Sequence, residues 1–293
     1  MEQETQNQHI VPQVHLRSFL GKDKKKLSCL NIDKLRIEKD QSPSRICSSK
    51  FHYSETPGSS DEYGQEAETA FGVIEDWYGK NKNKIEEKLL SKEKLTDGEK
   101  YDLSFLISNF LFRGYSHRDD TLNFSKKMLD EITNGLDEDV TINGISQEDA
   151  YKEVEKTSYA TNQAFRDGLA NALTHKKWEV LVNLNEEYKF ITSDEPVIQY
   201  VPDFAKKWPM FSTSYVVMTQ VFHLSPKVAI IATFKPNHEG EWDFIDVTNK
   251  VDRIFESNLK YVNYAYKYAY ADSGYFFQKL IDFESKKRFK ETQ

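Results

Sequence analysis

The chain has 293 residues, of which 38% are hydrophobic and 30% charged, and its formal net charge at pH 7 is -7. This length allows one large domain or two closely packed ones, and the composition is typical of a globular protein. The net negative charge excludes a general attraction to nucleic acid or anionic membranes, so binding a nucleic acid would need a local basic groove. Cys29 and Cys47 are too few for a disulfide framework or a Cys-rich zinc site.

The N-terminal residues MEQETQNQH are acidic and rich in amides, and they lack the apolar stretch of a secretory signal. No segment approaches the roughly 18 consecutive apolar residues of a membrane span. We therefore expect a cytoplasmic protein without a membrane partner.

In chain order, the first predicted elements are a short N-terminal hairpin and a set of helices. A charged turn at 21–26 precedes a strand-like run at 27–32, which predicts the hairpin. From about 63 to 90, apolar residues recur every three or four positions and predict an amphipathic helix. Asp97 is the predicted cap of a second helix, which is apolar nearly all round and therefore buried. Two further helices are predicted around 120–133 and 146–175.

From residue 177 the pattern changes to short β-rich runs separated by turns, which predict an antiparallel sheet. The runs are Trp178–Val182, Tyr188–Thr192, Tyr215–Met218, Val221–Leu224 and Val228–Ala232. A helical pattern returns over 252–270, and Gly274 separates it from a last helix. The segregation of helices and strands predicts an α+β fold, mainly helical. We expect one domain over 1–293, with a helical part around 63–176 and a sheet-plus-helix part around 177–288.

The segment QHIVPQVHLRSF at 8–19 is a candidate anion site. A proline is tolerated at the start of a helix, and it favours extended backbone at the residue before it. In a helix that starts there, Gln13 and Arg17 lie on one face, so His9, Gln13 and Arg17 converge on an anion such as phosphate. The alternative is structural: His9 caps the helix, and Arg17 pairs with a buried carboxylate.

Three carboxylates are candidates for chemistry. Asp194, in Thr-Ser-Asp-Glu-Pro, follows a predicted strand, where it is either a catalytic acid or part of an Asx-turn. Glu68 and Glu75 lie two helical turns apart on one face. With Asp194 and His9 they form an oxygen-rich ligand set of the kind that magnesium or manganese prefers. The alternative is that both glutamates are simply solvated.

Other motifs give weaker signals. Arg113 and His117 are spaced more closely than the Arg-x4-6-His pattern of a class of helical ribonucleases, and a favourable helix dipole explains a basic helix end. Glu187-x-Lys189 has a form found in one nuclease superfamily, but the acid that should precede it is missing, so chance explains it. The chain has no phosphate loop, dinucleotide fingerprint, nucleophile elbow or zincin motif.

The segment 8–19 resembles the N-terminal signature of domain-of-unknown-function family 4238, a bacterial family with the pattern His-aromatic-Val-Pro-Gln-aromatic-aromatic-Leu-Arg-x-Phe. FITSDEPV at 190–197 is similar to its Ile-Thr-Ser-Asp-Asn-Pro-Val, and LSP at 224–226 is similar to its Pro-Leu-Ser-Pro. Asn258 and Asn263 are similar to the asparagines of its last helices. The chain departs from the pattern at Ile10, Val14, His15, Glu195 and His223, but it keeps His9, Gln13, Arg17 and Asp194.

Some members of this family are thought to accompany antiphage defence, so the resemblance implies an effector role. We expect a nuclease-like effector in which His9 is a general base or metal ligand and Asp194 a ligand or orienting acid. Glu68 and Glu75 would be metal ligands, and Gln13 and Arg17 would position phosphate. The expected partner is a nucleic acid or a phage component. The alternative is a non-catalytic module for ligand sensing or protein interaction, with the tyrosines at 264, 266, 268 and 270 as a contact surface.

Overall fold

The computed structural model describes residues 7–21, 24–50, 52–53, 62–117, 163–206 and 217–291, together with isolated positions between 119 and 146. Within these residues, no helix is both long and apolar enough to cross a membrane. The predicted helix around 120–133 and the first part of the one at 146–175 lie mostly outside the described residues, as do Tyr215 and Val216 of a predicted strand.

Among the described residues, short strands and one short helix come first, then three consecutive helices, and then mainly strands with two longer helices near the C-terminus. In chain order they are β1 (Asn7–His9), α1 (Gln13–Ser18), β2 (Leu27–Asn31), β3 (Arg36–Gln41), a 3-10 turn (Pro43–Arg45), β4 (Ser48–Lys50), α2 (Glu62–Leu90), α3 (Asp97–Arg113), α4 (Gln163–His175), β5 (Lys177–Val182), β6 (Thr192–Ser193), β7 (Val197–Tyr200), α5 (Asp203–Lys206), β8 (Thr219–His223), β9 (Val228–Thr233), β10 (Trp242–Asp246), α6 (Val251–Tyr264), β11 (Tyr268–Ala271) and α7 (Gly274–Glu291).

A five-stranded sheet in the C-terminal half has the order β10-β5-β9-β8-β7. Three of its pairings are antiparallel, as predicted, but β10 runs parallel to β5. The fully antiparallel prediction was therefore wrong at this edge. Sequence reasoning also missed β10 itself, because its residues are only partly buried and acidic side chains interrupt the apolar ones.

The predicted N-terminal hairpin is confirmed as β2 and β3, and it belongs to a four-stranded sheet with the order β3-β2-β11-β6. The strand β11 replaces the end of the helix predicted over 252–270, which stops at Tyr264. Tyr268 and Tyr270 therefore lie on a strand, and Tyr270 is buried rather than exposed. A separate two-stranded sheet pairs β1 with β4.

The five-stranded sheet is covered on both faces. Helices α2, α3 and α4 pack on one face, around Trp178 and Phe222. The other face packs against α6, α7 and the four-stranded sheet, around Val221 and Tyr261. This layering confirms the α+β class, with the predicted sheet in the C-terminal half and hairpin at the N-terminus. The single-domain organisation stays a prediction.

Two local predictions need correction. The cap of α3 is Thr96, one residue before the predicted Asp97, because Thr96 and Glu99 bond to each other's backbone N–H in a capping box. The strand predicted at 188–192 is reduced to Thr192–Ser193. A local turn occupies the preceding residues, where the Asn185 side chain accepts the backbone N–H groups of Glu187 and Tyr188.

Candidate functional site

The N-terminal motif forms the end of β1 and all of α1. Pro12 begins the helix, and Arg17 donates to Gln13 over 2.7 Å on its exposed face, so the predicted shared face is present. Among the described residues Arg17 has no buried carboxylate as its partner, and Pro12 rather than His9 occupies the cap position. The neighbouring Gln8 is buried, where it donates to the Gly64 carbonyl and accepts the backbone N–H of Tyr53. This contact fixes β1 against α2.

His15, at a position where an aromatic residue is expected, is a core residue. Its ring stacks on Phe222 with centroids 5.3 Å apart and meets Phe110 edge-on at 5.2 Å. Its Nε2 lies 3.0 Å from the hydroxyl of Thr192. Burial lowers the pKa of His15 to about 3, so the ring is neutral at physiological pH.

Arg113, the last residue of α3, is the centre of a buried polar cluster. Its side chain is 0% exposed, and Nη1 lies 2.6 Å from Glu75. Nε donates to the hydroxyl of Tyr53 over 2.8 Å, and Nη2 donates to the backbone carbonyl of His9. The guanidinium also lies 4.2 Å from the centre of the Phe71 ring. The sequence interpretation of Arg113 as a helix end favoured by the dipole was incomplete, because this arginine joins β1 to α2 and α3.

Two buried atoms next to Arg113 have no hydrogen-bond partner among the described residues: Nε2 of His9 and Oε2 of Glu68. Burial raises the pKa of Glu68 to about 7, and the nearby Arg113 opposes that rise. Burial also lowers the pKa of His9, against the opposing effect of Glu75. A neutral imidazole therefore lies in the same cluster as a carboxyl group that is substantially protonated near pH 7.

The structure brings most of the predicted site residues into this neighbourhood, which we call the His9 cluster: His9, Arg17, Tyr53, Glu68, Glu75 and Arg113. Arg17 belongs to it because its charge contributes to the lowered pKa of His9, and Gln13 is bonded to Arg17. Neither Glu68 nor Glu75 is a freely solvated side chain, since each is partly buried and lies near Arg113.

Asp194 has a different environment. Its carboxylate accepts the backbone N–H groups of Tyr266, Lys267 and Tyr268 over 2.8–2.9 Å, and its own N–H donates to the Tyr268 carbonyl. Burial raises the pKa of Asp194 to about 6, while those N–H groups oppose the rise, so the side chain is ionised at neutral pH. The predicted Asx-turn is not formed by Asp194, because the local turn bonds come from Ser193, whose hydroxyl contacts both the N–H and carbonyl of Glu195.

The divalent-metal set stays a prediction. Among the described residues, no group of three or more His, Cys, Asp and Glu side chains is arranged to hold a metal ion. Of the four predicted ligands, Glu75 already binds Arg113, and Asp194 already holds three backbone N–H groups. His9 and Glu68 are the two that keep an unpartnered buried atom.

A comparison with known protein families gives one match. The family model described as "Protein of unknown function (DUF4238)" matches residues 7–274. The chain belongs to the DUF4238 family. No curated protein and no solved structure matches it. The match includes all six predicted site residues, so the His9 cluster and the Asp194 segment both lie inside the DUF4238 domain.

Within this DUF4238 domain, sequence reasoning missed two members of the cluster, Arg113 and Tyr53. One signal pointed to Arg113: an arginine ending a helix that is apolar all round must find a buried partner. Nothing local marked Tyr53. The motif Glu187-x-Lys189 has structural partners, because Glu187 binds Lys279 and Lys189 binds Asp272.

Glu195, which departs from the family pattern, was also missed as a site candidate. Its carboxylate is buried and accepts the backbone N–H of Ser116 over 2.7 Å. Burial raises the pKa of Glu195 to about 7. Glu195 therefore ties the segment after β6 to the end of α3.

Proposed function

We propose that this DUF4238 protein is a nuclease-like hydrolase, and that its reaction uses the unpartnered atoms of His9 and Glu68. The observation that supports the proposal is that these two buried polar atoms lie in one cluster without a hydrogen-bond partner among the described residues. Buried polar groups are nearly always satisfied, so an unsatisfied pair is a candidate for substrate contact. The family resemblance supports a role in bacterial antiphage defence, with nucleic acid as the substrate.

The ionisation states fit a proton-transfer pair. A neutral His9 accepts the proton of the attacking water as its oxygen forms a bond to phosphorus. A protonated Glu68 gives its proton to the leaving oxygen as the old phosphorus–oxygen bond breaks. Environments that push two pKa values in opposite directions are a common way to assign a base and an acid. Exchange with solvent then restores both groups.

The other cluster members would bind and position. Arg17 and Gln13, on the exposed face of α1, supply a guanidinium and an amide for a phosphate group. Arg113 holds the backbone of His9 and the side chain of Glu75, so it is a positioning residue. Both reactive atoms are covered, so a side chain that covers them must move before substrate can bind. Magnesium or manganese held by His9 and Glu68 would polarise the phosphate, but it would replace this proton transfer, because a metal-bound imidazole and carboxylate could not serve as base and acid.

The test is a cleavage assay on the full chain. Labelled single-stranded and duplex DNA and RNA are incubated with EDTA, magnesium or manganese. We expect His9→Ala and Glu68→Gln to lower the rate by about 10²–10⁴-fold, the usual contribution of one acid or base. Glu66→Gln, at an exposed position of the same helix, and His238→Ala, at an exposed histidine, should cleave like the wild type. Cleavage by His9→Ala at the wild-type rate would refute the assignment.

The second candidate function is a non-catalytic ligand-sensing or protein-interaction module. The Asp194 carboxylate, which is already bonded to backbone N–H groups, and the core position of His15 favour it, because both show that residues of the two motifs serve the fold. A wild-type chain that binds nucleic acid and cleaves none of the four substrates would support this module over the hydrolase.

A further inference from the structure

A cavity of about 460 Å³ lies beside Asp194, outside the His9 cluster. We call it the Tyr266 cavity. Its lining comes from β2, β3, β4, β11 and the 3-10 turn, together with Tyr115, Tyr266 and Lys267. Its volume is within the range of small-molecule sites. Three features of its walls indicate what it binds.

The first feature is an aromatic platform. The rings of Tyr115 and Tyr266 stack with centroids 4.9 Å apart and planes 16° from parallel. Tyr266 is 49% exposed, and Asp119 lies near its hydroxyl. Because Tyr266 lines the cavity and is half-exposed, its side chain offers a surface on which a flat aromatic group can stack. Stacking of a base on such a ring contributes about 1–3 kcal/mol.

The second feature is a pair of cations. Arg45 and Lys267 both line the cavity and are exposed, and within the described part of the chain neither has a salt-bridge partner. A guanidinium fork beside an ammonium group matches the oxygens of a phosphate. Glu38 and Asp194 line the same cavity, so its formal charge is balanced, whereas the chain as a whole has a net charge of -7.

The third feature is a set of acceptors on β3. Glu38 and Gln41 line the same cavity. Oε1 of Glu38 contacts Asn31 and Arg36, which leaves Oε2 for a donor on a ligand. Carboxylate and amide oxygens accept the ring and exocyclic N–H groups of nucleobases.

Buried contacts hold Cys47 and Asp194, two residues of the cavity lining. Cys47 is buried in the left-handed region with φ of 52°, and its thiol donates to the hydroxyl of Tyr270 over 3.3 Å. Non-glycine residues in this conformation are uncommon and are concentrated at binding sites. Asp194 is clamped by three N–H groups. These contacts hold Cys47 and Asp194 in place, so this part of the cavity lining is preformed.

We propose that the Tyr266 cavity binds a nucleotide unit, with its base stacked on Tyr266 and its phosphate between Arg45 and Lys267. This inference rests on the proposed function in one respect, the choice of a nucleic acid as substrate. The strand β4 connects the two sites, because Cys47 and Ser48 line the cavity and Ser48 pairs with His9 of β1. The β1–β4 pairing therefore places part of the cavity lining and the backbone of His9 on neighbouring strands.

The experiment is calorimetric titration of the four ribonucleoside 5′-monophosphates, the matching nucleosides and inorganic phosphate into full-length His9→Ala protein. At least one monophosphate should bind with a Kd below about 1 mM, and more tightly than its nucleoside or phosphate alone. Tyr266→Ala and Arg45→Ala should each weaken binding by at least about tenfold, which corresponds to 1.4 kcal/mol. Tyr266→Phe should keep the affinity, because the ring face carries the contact.

Matched controls are Tyr264→Ala, which removes a tyrosine of similar exposure (46%) outside the cavity, and Arg253→Ala, at an exposed arginine of α6. Both should bind like the parent. No detectable binding, or equal losses in Tyr264→Ala and Tyr266→Ala, would overturn the inference. Because His9→Ala lacks the proposed base, binding here without cleavage by the wild type would refute the hydrolase and leave the cavity proposal intact. Cleavage by the wild type without nucleotide binding to His9→Ala would refute the cavity proposal and leave the hydrolase intact.

Discussion

His9 and Asp194 each lie at the end of a short strand, yet their side chains are used in opposite ways. The Asp194 carboxylate is saturated by three backbone N–H groups, which fix the turn before β11. The His9 imidazole has an unpartnered buried nitrogen beside a carboxyl group with an unpartnered oxygen. The difference shows that residue type and position at a strand end do not identify a reactive group. Whether its polar atoms are already satisfied is more informative.

The largest effect on stability is expected from removing Asp194. Asp194→Ala leaves three partly buried N–H groups without their acceptor, so the free energy of unfolding should fall by at least about 3 kcal/mol, at about 1 kcal/mol or more per group. Urea denaturation measures it. Asp203→Ala, whose side chain is 95% exposed, is the matched control and should change stability by less than about 0.5 kcal/mol. A small loss for Asp194→Ala would mean that Asp194 is not the clamp described here.

His15, the second histidine of the N-terminal motif, is a core residue, and the pH dependence of stability tests this. The folded-state pKa of His15 is about 3, against 6.5 for an ordinary histidine. The unfolded chain therefore takes up a proton as pH falls below 6.5, and stability is lost from there down to about pH 3. By pH 5 this loss is about 2 kcal/mol. His15→Phe does not titrate, so its unfolding free energy relative to the wild type should rise by that amount between pH 7 and pH 5.

Chemical denaturation at the two pH values measures the His15 effect. His238→Gln changes an exposed histidine and should show no such pH-dependent difference. If His15→Phe and the wild type lost stability in parallel, the neutral core position of His15 would be contradicted.

Arg17 is expected to act on substrate binding rather than on the fold. It is exposed and its hydrogen-bond partner among the described residues is Gln13, so Arg17→Ala should leave the melting temperature nearly unchanged. Losing one phosphate contact should raise KM by about tenfold, or 1.4 kcal/mol, with kcat little changed. Steady-state cleavage kinetics at several substrate concentrations separate the two constants. An equal fall in kcat would place Arg17 in the chemical step instead.

The last stability prediction concerns the cost of burying the Glu68 carboxylate. Its folded-state pKa of about 7 exceeds the ordinary value of 4.5, so ionising it opposes folding. That penalty is absent below about pH 4.5, grows as pH rises, and is complete above about pH 7. Glu68→Gln removes this penalty of about 3 kcal/mol, so its melting temperature at pH 8 should exceed that of the wild type by about 6–12 °C, with little difference at pH 4.5. A lower melting temperature at pH 8 would show that the Glu68 charge is stabilising.

Local patterns predicted the parts of the site that depend on one helix. The shared face of Gln13 and Arg17, and that of Glu68 and Glu75, follow from helical periodicity and are present. Local patterns could not predict that Arg113 joins residues more than 35 positions away in two other elements. Such contacts depend on tertiary packing, and no periodicity within one element encodes them.

Local sequence patterns also failed to predict parts of the fold. The parallel pairing of β10 with β5 depends on which strand lies at the sheet edge, and the sequence of either strand alone does not specify it. By contrast, β11 had a local signal that was misread. Tyr268–Ala271 reads Tyr-Ala-Tyr-Ala, an alternation with period two that is typical of a strand, within a region assigned to a helix.

The pH dependence of nucleic-acid cleavage tests the central claim most directly. Activity requires His9 to be neutral and Glu68 to be protonated, so kcat/KM should rise as pH increases through the lowered pKa of His9 and fall as it passes about 7. Wild type, His9→Ala and Glu68→Gln are measured from pH 4.5 to 8.5. We predict a bell-shaped profile for the wild type and a loss of about 10²-fold or more for both variants. A wild-type rate that keeps rising above pH 8, or a variant that retains the wild-type rate and profile, would contradict the account.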